Sequence, residues 1–263
     1  MIRNIVLIGA GKLATQLGSS LSNKGFNIRQ VYSRTAENAE ALADKLNAYW
    51  CNDLSEMQQD ADMYIVSVSD SALSSVIENM PSVKGIVVHT AGSLSMDMLI
   101  KFDRYGIFYP FQTFSKEREV NFYEIPLLLE ANDDKVMDDL MVFAKNVSKT
   151  VLQSDSNQRQ KIHLAAVFAC NFSNHMYAIA DEILSENNID FDVIRPLIKE
   201  TAEKTEVLSP VKAQTGPAVR GDQNVIDKHL KLLANDKELA GLYKKLSQRI
   251  MDLSMNHKTE SEE

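Results

Sequence analysis

Residues 2–14 constrain the fold more than any other stretch of the chain. An apolar run, Ile2 to Ile8, stops at Gly9-Ala10-Gly11-Lys12-Leu13-Ala14, and the amphipathic pattern LATQLGSSLSNKG follows at once. An apolar strand that turns through glycines directly into a helix is the opening of a parallel crossover unit. In the G-x-G-x-x-A form, Gly9 permits a tight turn, Gly11 lets backbone approach a ligand closely, and small Ala14 lets helix and strand pack. Gly25 is placed to close the helix in the left-handed conformation.

The next hundred residues repeat the same alternation. FNIRQVYS reads as a strand, ENAEALADKLN as a helix, AYWC as a short extended piece, MYIVSVS as a strand, SALSSVIENM as a helix and GIVVHT as a strand. Further strands are expected at YGIFYPFQTF and EIPLLLEA, a helix at DDKVMDDLMVFAKNV and an edge strand at KTVLQ. Strand signals end after Ser154. A long helical stretch, Asn157 to Glu186, then carries Ile162, Ala166, Ala169, Phe172, Met176, Ile179 and Ile183 at intervals of three and four. Helices are also expected at FDVIRPLIKETAEKTEVL, NVIDKHLKLLAND and KELAGLYKKLSQRIMDLSM, and the tail NHKTESEE is expected to fray. The pattern predicts an α/β chain: a Rossmann-type, doubly wound, mostly parallel sheet over residues 1–153, then a smaller all-α domain over 154–263.

With 44% hydrophobic residues in 263, both domains have material for a core. A net charge of −8 argues against a nucleic-acid partner, which needs a basic surface. The two cysteines, Cys51 and Cys170, form no metal or disulfide spacing. The run before Gly9 is far shorter than the roughly 20 apolar residues of a membrane span, so a cytoplasmic protein is expected.

A net-acidic chain can still bind a polyanion locally. The helix opening at Lys12 and Leu13 directs free N–H groups and the positive end of its dipole at whatever Gly9 and Gly11 admit. An NAD site would place an acid about 20 residues on, to accept from the ribose hydroxyls. Residues 31–36 instead read Val-Tyr-Ser-Arg-Thr-Ala. Ser33, Arg34 and Thr35 would welcome a 2′-phosphate that a carboxylate would repel, which makes NADP the expected cofactor. The alternative is that Arg34 is a solvated turn residue. Later strand ends should reach the same crevice, with Val68 and Ser69 on the adenine and ribose side and His89, Thr90 and Gly92 nearer the nicotinamide. Asp70 and Ser93 read as helix N-caps, and His89 has the alternative of a hydrogen-bonded strand-end residue.

If the nicotinamide transfers hydride, the chain must supply a proton and hold the substrate. His163 and Asn171 on the long helix are the candidate catalytic pair, with Asn174 on the same face as a substrate contact. His163 has the alternative of a structural, hydrogen-bonded histidine. In QTGPAVRGD, Gly216, Pro217 and Gly221 shape a loop in which Thr215 and Arg220 would hold a small, carboxylated substrate. Arg220 would otherwise pair with Asp222, a residue placed to cap the helix beginning near Asn224.

The segments IGAGKLA, VHTAGS, YPFQTFS, KIHLAAVFACNF and QTGPAVRGD, in that order, resemble a bacterial subfamily of NADP oxidoreductases with a helical C-terminal domain of uncharacterised function. That group is related to pyrroline-5-carboxylate reductase and the 6-phosphogluconate dehydrogenase-like proteins. One departure is Tyr109, where such relatives are expected to carry a histidine before the proline. The resemblance implies reduction of a small carbonyl or imine compound between the domains and a homodimer formed through the helical one. Leu230, Leu233, Leu239, Leu242, Tyr243 and Leu246 are candidates for the shared surface, or for a core within the chain. A different class of function stays open: a sensor that binds NADP(H) without turnover.

Overall fold

A computed structural model describes residues 1–260 apart from 116, 117 and 119. It divides into two compact units, Met1–His175 and Met176–Glu263.

The first unit is built on β1 (Asn4–Ile8), α1 (Lys12–Asn23), β2 (Asn27–Tyr32), α2 (Ala36–Leu46), β3 (Tyr49–Cys51), β4 (Met63–Val66), α3 (Asp70–Asn79), β5 (Ile86–His89), β6 (Tyr105–Pro110), β7 (Leu127–Ala131), α4 (Asp134–Val147) and β8 (Val151–Gln153). The strands form one sheet in the order β3-β2-β1-β4-β5-β6-β7-β8. Neighbours run parallel except β6 and β7, which are antiparallel. The expected α/β class and mostly parallel sheet are therefore present. β1 pairs with β2 on one side and β4 on the other, so the chain leaves the middle of the sheet in both directions and opens a crevice at the strands' carboxyl ends.

Period-two alternation explains why β1 reads as a continuous apolar run. Ile5 and Leu7 belong to the core beneath α1, α2 and α4, while Val6 and Ile8 belong to the core on the opposite face, with Leu73 and Ile77 of α3. α1 ends as expected: Gly25 takes φ +85, and the Phe26 amide reaches back to the Leu21 carbonyl at 3.1 Å.

The long helix is not uniform. α5 (Ser156–Ala166) passes into a π-helical stretch, Val167–Phe172, and then into α6 (Ser173–Ser185). α5 starts from a complete capping box, with the Asp155 carboxylate accepting from the Gln158 amide and the Gln158 side chain returning to the Asp155 amide.

The second unit contains α7 (Arg195–Val207), α8 (Pro210–Ala213), α9 (Pro217–Arg220), α10 (Gln223–Leu232) and α11 (Lys237–Glu260). The segment expected to be a loop forms one helical turn, α9. Gly216 at φ +112 admits Pro217 at its start, and Gly221 at φ +66 closes it. Asp222 caps α10, accepting from the Val225 amide at 3.3 Å, as its place in the sequence suggests. α10 and α11 are joined by a His229 Nδ1 to Tyr243 Oη hydrogen bond of 2.8 Å. α11 continues into the tail that was expected to fray; residues 261–263 lie outside the described residues.

Candidate functional site

A crevice of about 1210 Å³ opens at the carboxyl ends of β1, β2, β3, β4 and β5. Gly9, Gly11, Lys12 and Leu13 form its floor, Ser33, Arg34 and Thr35 one end, and Val68, Ser69, Thr90 and Ala91 the far wall. The two glycines do different work. A Cβ on Gly9, which sits at φ +120, would lie 2.1 Å from the Ser67 carbonyl oxygen, so this position seals the strand ends together. A Cβ on Gly11 would meet nothing within 4 Å: it faces the open crevice, a cradle that any side chain would fill. α1 has no acidic residue in its first turn and no side-chain cap, leaving its first N–H groups to a ligand in the crevice. These features fit the pyrophosphate of a dinucleotide.

Beyond Ala91 the wall continues into a polar cluster of the same unit. Tyr109, at the end of β6, brings its Oη to within 3.0 Å of His163 Nδ1. Gly92 lies directly against both: a Cβ there would be 2.8 Å from either atom. Burial pushes the Tyr109 phenol above its ordinary pKa, opposed by the cation of Arg159. Arg159 is fully buried, pairs with Glu130, and donates to the Leu94 carbonyl at 2.6 Å and to Ser156 Oγ at 3.1 Å. It thereby pins α5 to β7 and to the loop after β5. Its Nε has no hydrogen-bond partner.

A family model described as "NADP oxidoreductase coenzyme F420-dependent" matches residues 4–92, and one described as "Domain of unknown function (DUF2520)" matches residues 125–250. BF3122 of Bacteroides fragilis, a candidate NADP oxidoreductase, is 49% identical, with 95% of this chain and 98% of that one covered and a TM-score of 0.89. This chain belongs to that oxidoreductase family. The same fold, at 16% identity, is found in a pyrroline-5-carboxylate reductase from Coxiella burnetii (97% and 98% covered, TM-score 0.58). It is also found in an imine reductase variant from Myxococcus stipitatus solved with NAD+ (16% identity, 96% and 94% covered, TM-score 0.64). No curated protein matches.

In this chain, ten of the residues picked from the sequence for the cofactor share one crevice: Gly9, Gly11, Lys12, Leu13, Ser33, Arg34, Thr35, Val68, Ser69 and Thr90. His89 and Gly92 do not line it. His89 is wholly buried, accepts from the Ala91 amide at Nδ1 and reaches the Ser95 carbonyl from Nε2, each at 3.2 Å. Burial holds its pKa down to about 4, so the ring is neutral and shapes the β5 turn. Asp70 and Ser93 are not helix caps. The N-cap of α3 is Ser69, and the Asp70 carboxylate accepts from the Ser93 hydroxyl.

On the long helix, His163 is half-buried and engaged by Tyr109, whereas Asn171 and Asn174 are exposed. The uniform α register that aligned the three is interrupted by the π stretch, in which Asn171 itself lies. Thr215 and Arg220 belong to the second unit, where Arg220 is exposed and, among the described residues, makes no ion pair with Asp222. Sequence inspection missed Asn38, Asn52 and Asp53, which also line the crevice. The register of β3 beside β2 brings Asn52 and Asp53 there, and a three-residue strand announces no register. Tyr109 was noticed only as a departure from a pattern, because its partner lies 54 residues away.

Among the described residues no helix is long and apolar enough to cross a membrane.

Proposed function

We propose that this oxidoreductase binds NADP(H) in the glycine-floored crevice and reduces a small carbonyl or imine compound, in the cytoplasm, with His163 and Tyr109 managing the proton. The observation that carries the reading is the crevice itself: an open Gly11 cradle at the bare N-terminus of α1, with a cation at one end and a phenol–imidazole pair beside the other. Gly11 and the first amides of α1 would take the pyrophosphate, and Arg34, Ser33 and Thr35 a 2′-phosphate. Bound NADPH supplies hydride. The chain's part is to deliver the balancing proton to the substrate oxygen or nitrogen. Tyr109, held protonated by burial, is suited to give it, with His163 Nδ1 placed to restore it.

Residues 154–263 are proposed as the substrate and dimerisation part, similar in role to the helical domain of the 6-phosphogluconate dehydrogenase-like proteins. Asn171 and Asn174 in the first unit and, separately, Thr215 and Arg220 in the second are proposed as substrate contacts, with Arg220 suited to a carboxylate. A homodimer is supported by apolar side chains left in solvent, including Phe168 and Phe172, which are 63% and 48% exposed yet stack edge to face at 5.0 Å. The second reading, a sensor without turnover, is favoured by the exposure of Asn171 and Asn174.

NADPH oxidation by the purified protein against a panel of keto acids and cyclic imines separates the two. Turnover on one member supports the reductase, and tight NADPH binding with none turned over supports the sensor.

A further inference from the structure

The cofactor's adenosine end was expected to carry a cation and no acid. We propose that Asp53 is the missing acid, supplied by β3 rather than β2, and that its opposition to Arg34 sets the balance between NADPH and NADH. The proposal rests on the crevice being a pyridine-nucleotide site.

Parallel pairing aligns Tyr32 with Cys51, and the next residue is still tied across, the Ser33 amide donating to the Cys51 carbonyl at 3.2 Å. Two residues past that register, Arg34 and Asp53 stand at equivalent positions on adjacent chain segments, and both line the crevice. They form no ion pair with each other. Asp53 is fixed instead by the 3₁₀ turn that follows it, where its Oδ1 accepts from the Ser55 amide at 2.8 Å. The Ser55 side chain bonds the same carboxylate, which is exposed and lines the crevice. The Tyr32 phenol registers both charges: beyond burial, its pKa is pushed up by Cys51 and Asp53 and down by Arg34.

Two opposite charges held apart at one subsite select by difference. A ribose 2′-hydroxyl would donate to the exposed carboxylate of Asp53, as it does to the acid that an NAD site carries on its second strand. A 2′-phosphate would gain Arg34 and be repelled by Asp53. The unmodified chain therefore binds both nucleotides, and neither charge alone decides the preference.

The test is fluorescence titration of NADPH and NADH into the full chain, into Asp53→Asn and into Arg34→Gln. Asparagine keeps an oxygen for the Ser55 amide, so circular dichroism should be unchanged. Asp53→Asn should tighten NADPH about three- to tenfold at low salt while leaving NADH equal or weaker, and the gain should shrink in high salt as the charges are screened. Arg34→Gln should move the NADPH to NADH ratio the other way. An equal change in both affinities for Asp53→Asn, or none, overturns the proposal. Failure of the unmodified chain to bind either nucleotide overturns the site reading as a whole, and the proposal with it.

Discussion

The two units spend their apolar residues differently. In Met1–His175 nearly every residue of the central strands β1, β4, β5 and β6 is buried, while the edge strands β3 and β8 are mostly not, and three clusters of buried hydrophobics fill both faces of the sheet. Among the described residues of Met176–Glu263 the buried hydrophobics are Ala218 and Ile226, while Leu197 and Leu232 are 66% and 82% exposed. A helix needs packing of its apolar face more than it needs propensity. The first unit therefore carries its own core beside the crevice, whereas the second leaves most of its apolar side chains in solvent, for which a second copy is the proposed cover.

The sharpest break of that contrast is inside the first unit. Gly9→Ala puts a Cβ against the Ser67 carbonyl at a φ that alanine resists, and should lower stability by more than about 4 kcal/mol in chemical denaturation. A mild effect would mean that the strand ends are looser than described. Acid should act on the same unit. The pKa of His89 is depressed when folded, so its contribution is complete above the unfolded value of about 6.5 and is lost as pH falls toward about 4, amounting to about 3 kcal/mol in all. Denaturation midpoints that stay level across that range in the parent, or fall equally in His89→Gln, would remove His89 as the cause.

For the second unit, Leu197→Glu costs an isolated chain little, because the side chain is already in solvent. In a dimer built on that face it should weaken association about a hundredfold, since a buried unpaired charge replaces a packed leucine. Light scattering of parent and variant decides; a parent with the mass of one chain contradicts the dimer. The smallest effect concerns chemistry. Tyr109→Phe should slow turnover about tenfold or more while leaving NADPH affinity unchanged. Equal turnover would return the proton to His163 or to solvent.

How much of this was legible in the sequence follows the same divide. The order of β and α elements in the first unit could be read because each strand is a short apolar run closed by turn residues, and the glycine loop named its own ligand surface. The residues that the sequence missed depend on register or on distance: Asp53 reaches the crevice through the pairing of β3 with β2, and Tyr109 meets the already expected His163 across 54 residues. The π stretch at Val167–Phe172 was hidden because three-and-four spacing describes an α-helix and cannot show an inserted residue. Asp70 and Ser93 each look like a cap in isolation, and only the folded loops reveal that they bond to each other.

In the proposed function the Gly11 cradle receives a dinucleotide pyrophosphate. Its most direct test is NADPH fluorescence titration of the parent chain beside Gly11→Val, with thermal melts of both. Because a Cβ at Gly11 meets nothing within 4 Å, the variant should melt like the parent, yet lose NADPH affinity by about a hundredfold or more as the valine occupies the space where phosphate approaches backbone. A variant that folds normally and still binds NADPH as tightly as the parent would contradict the account.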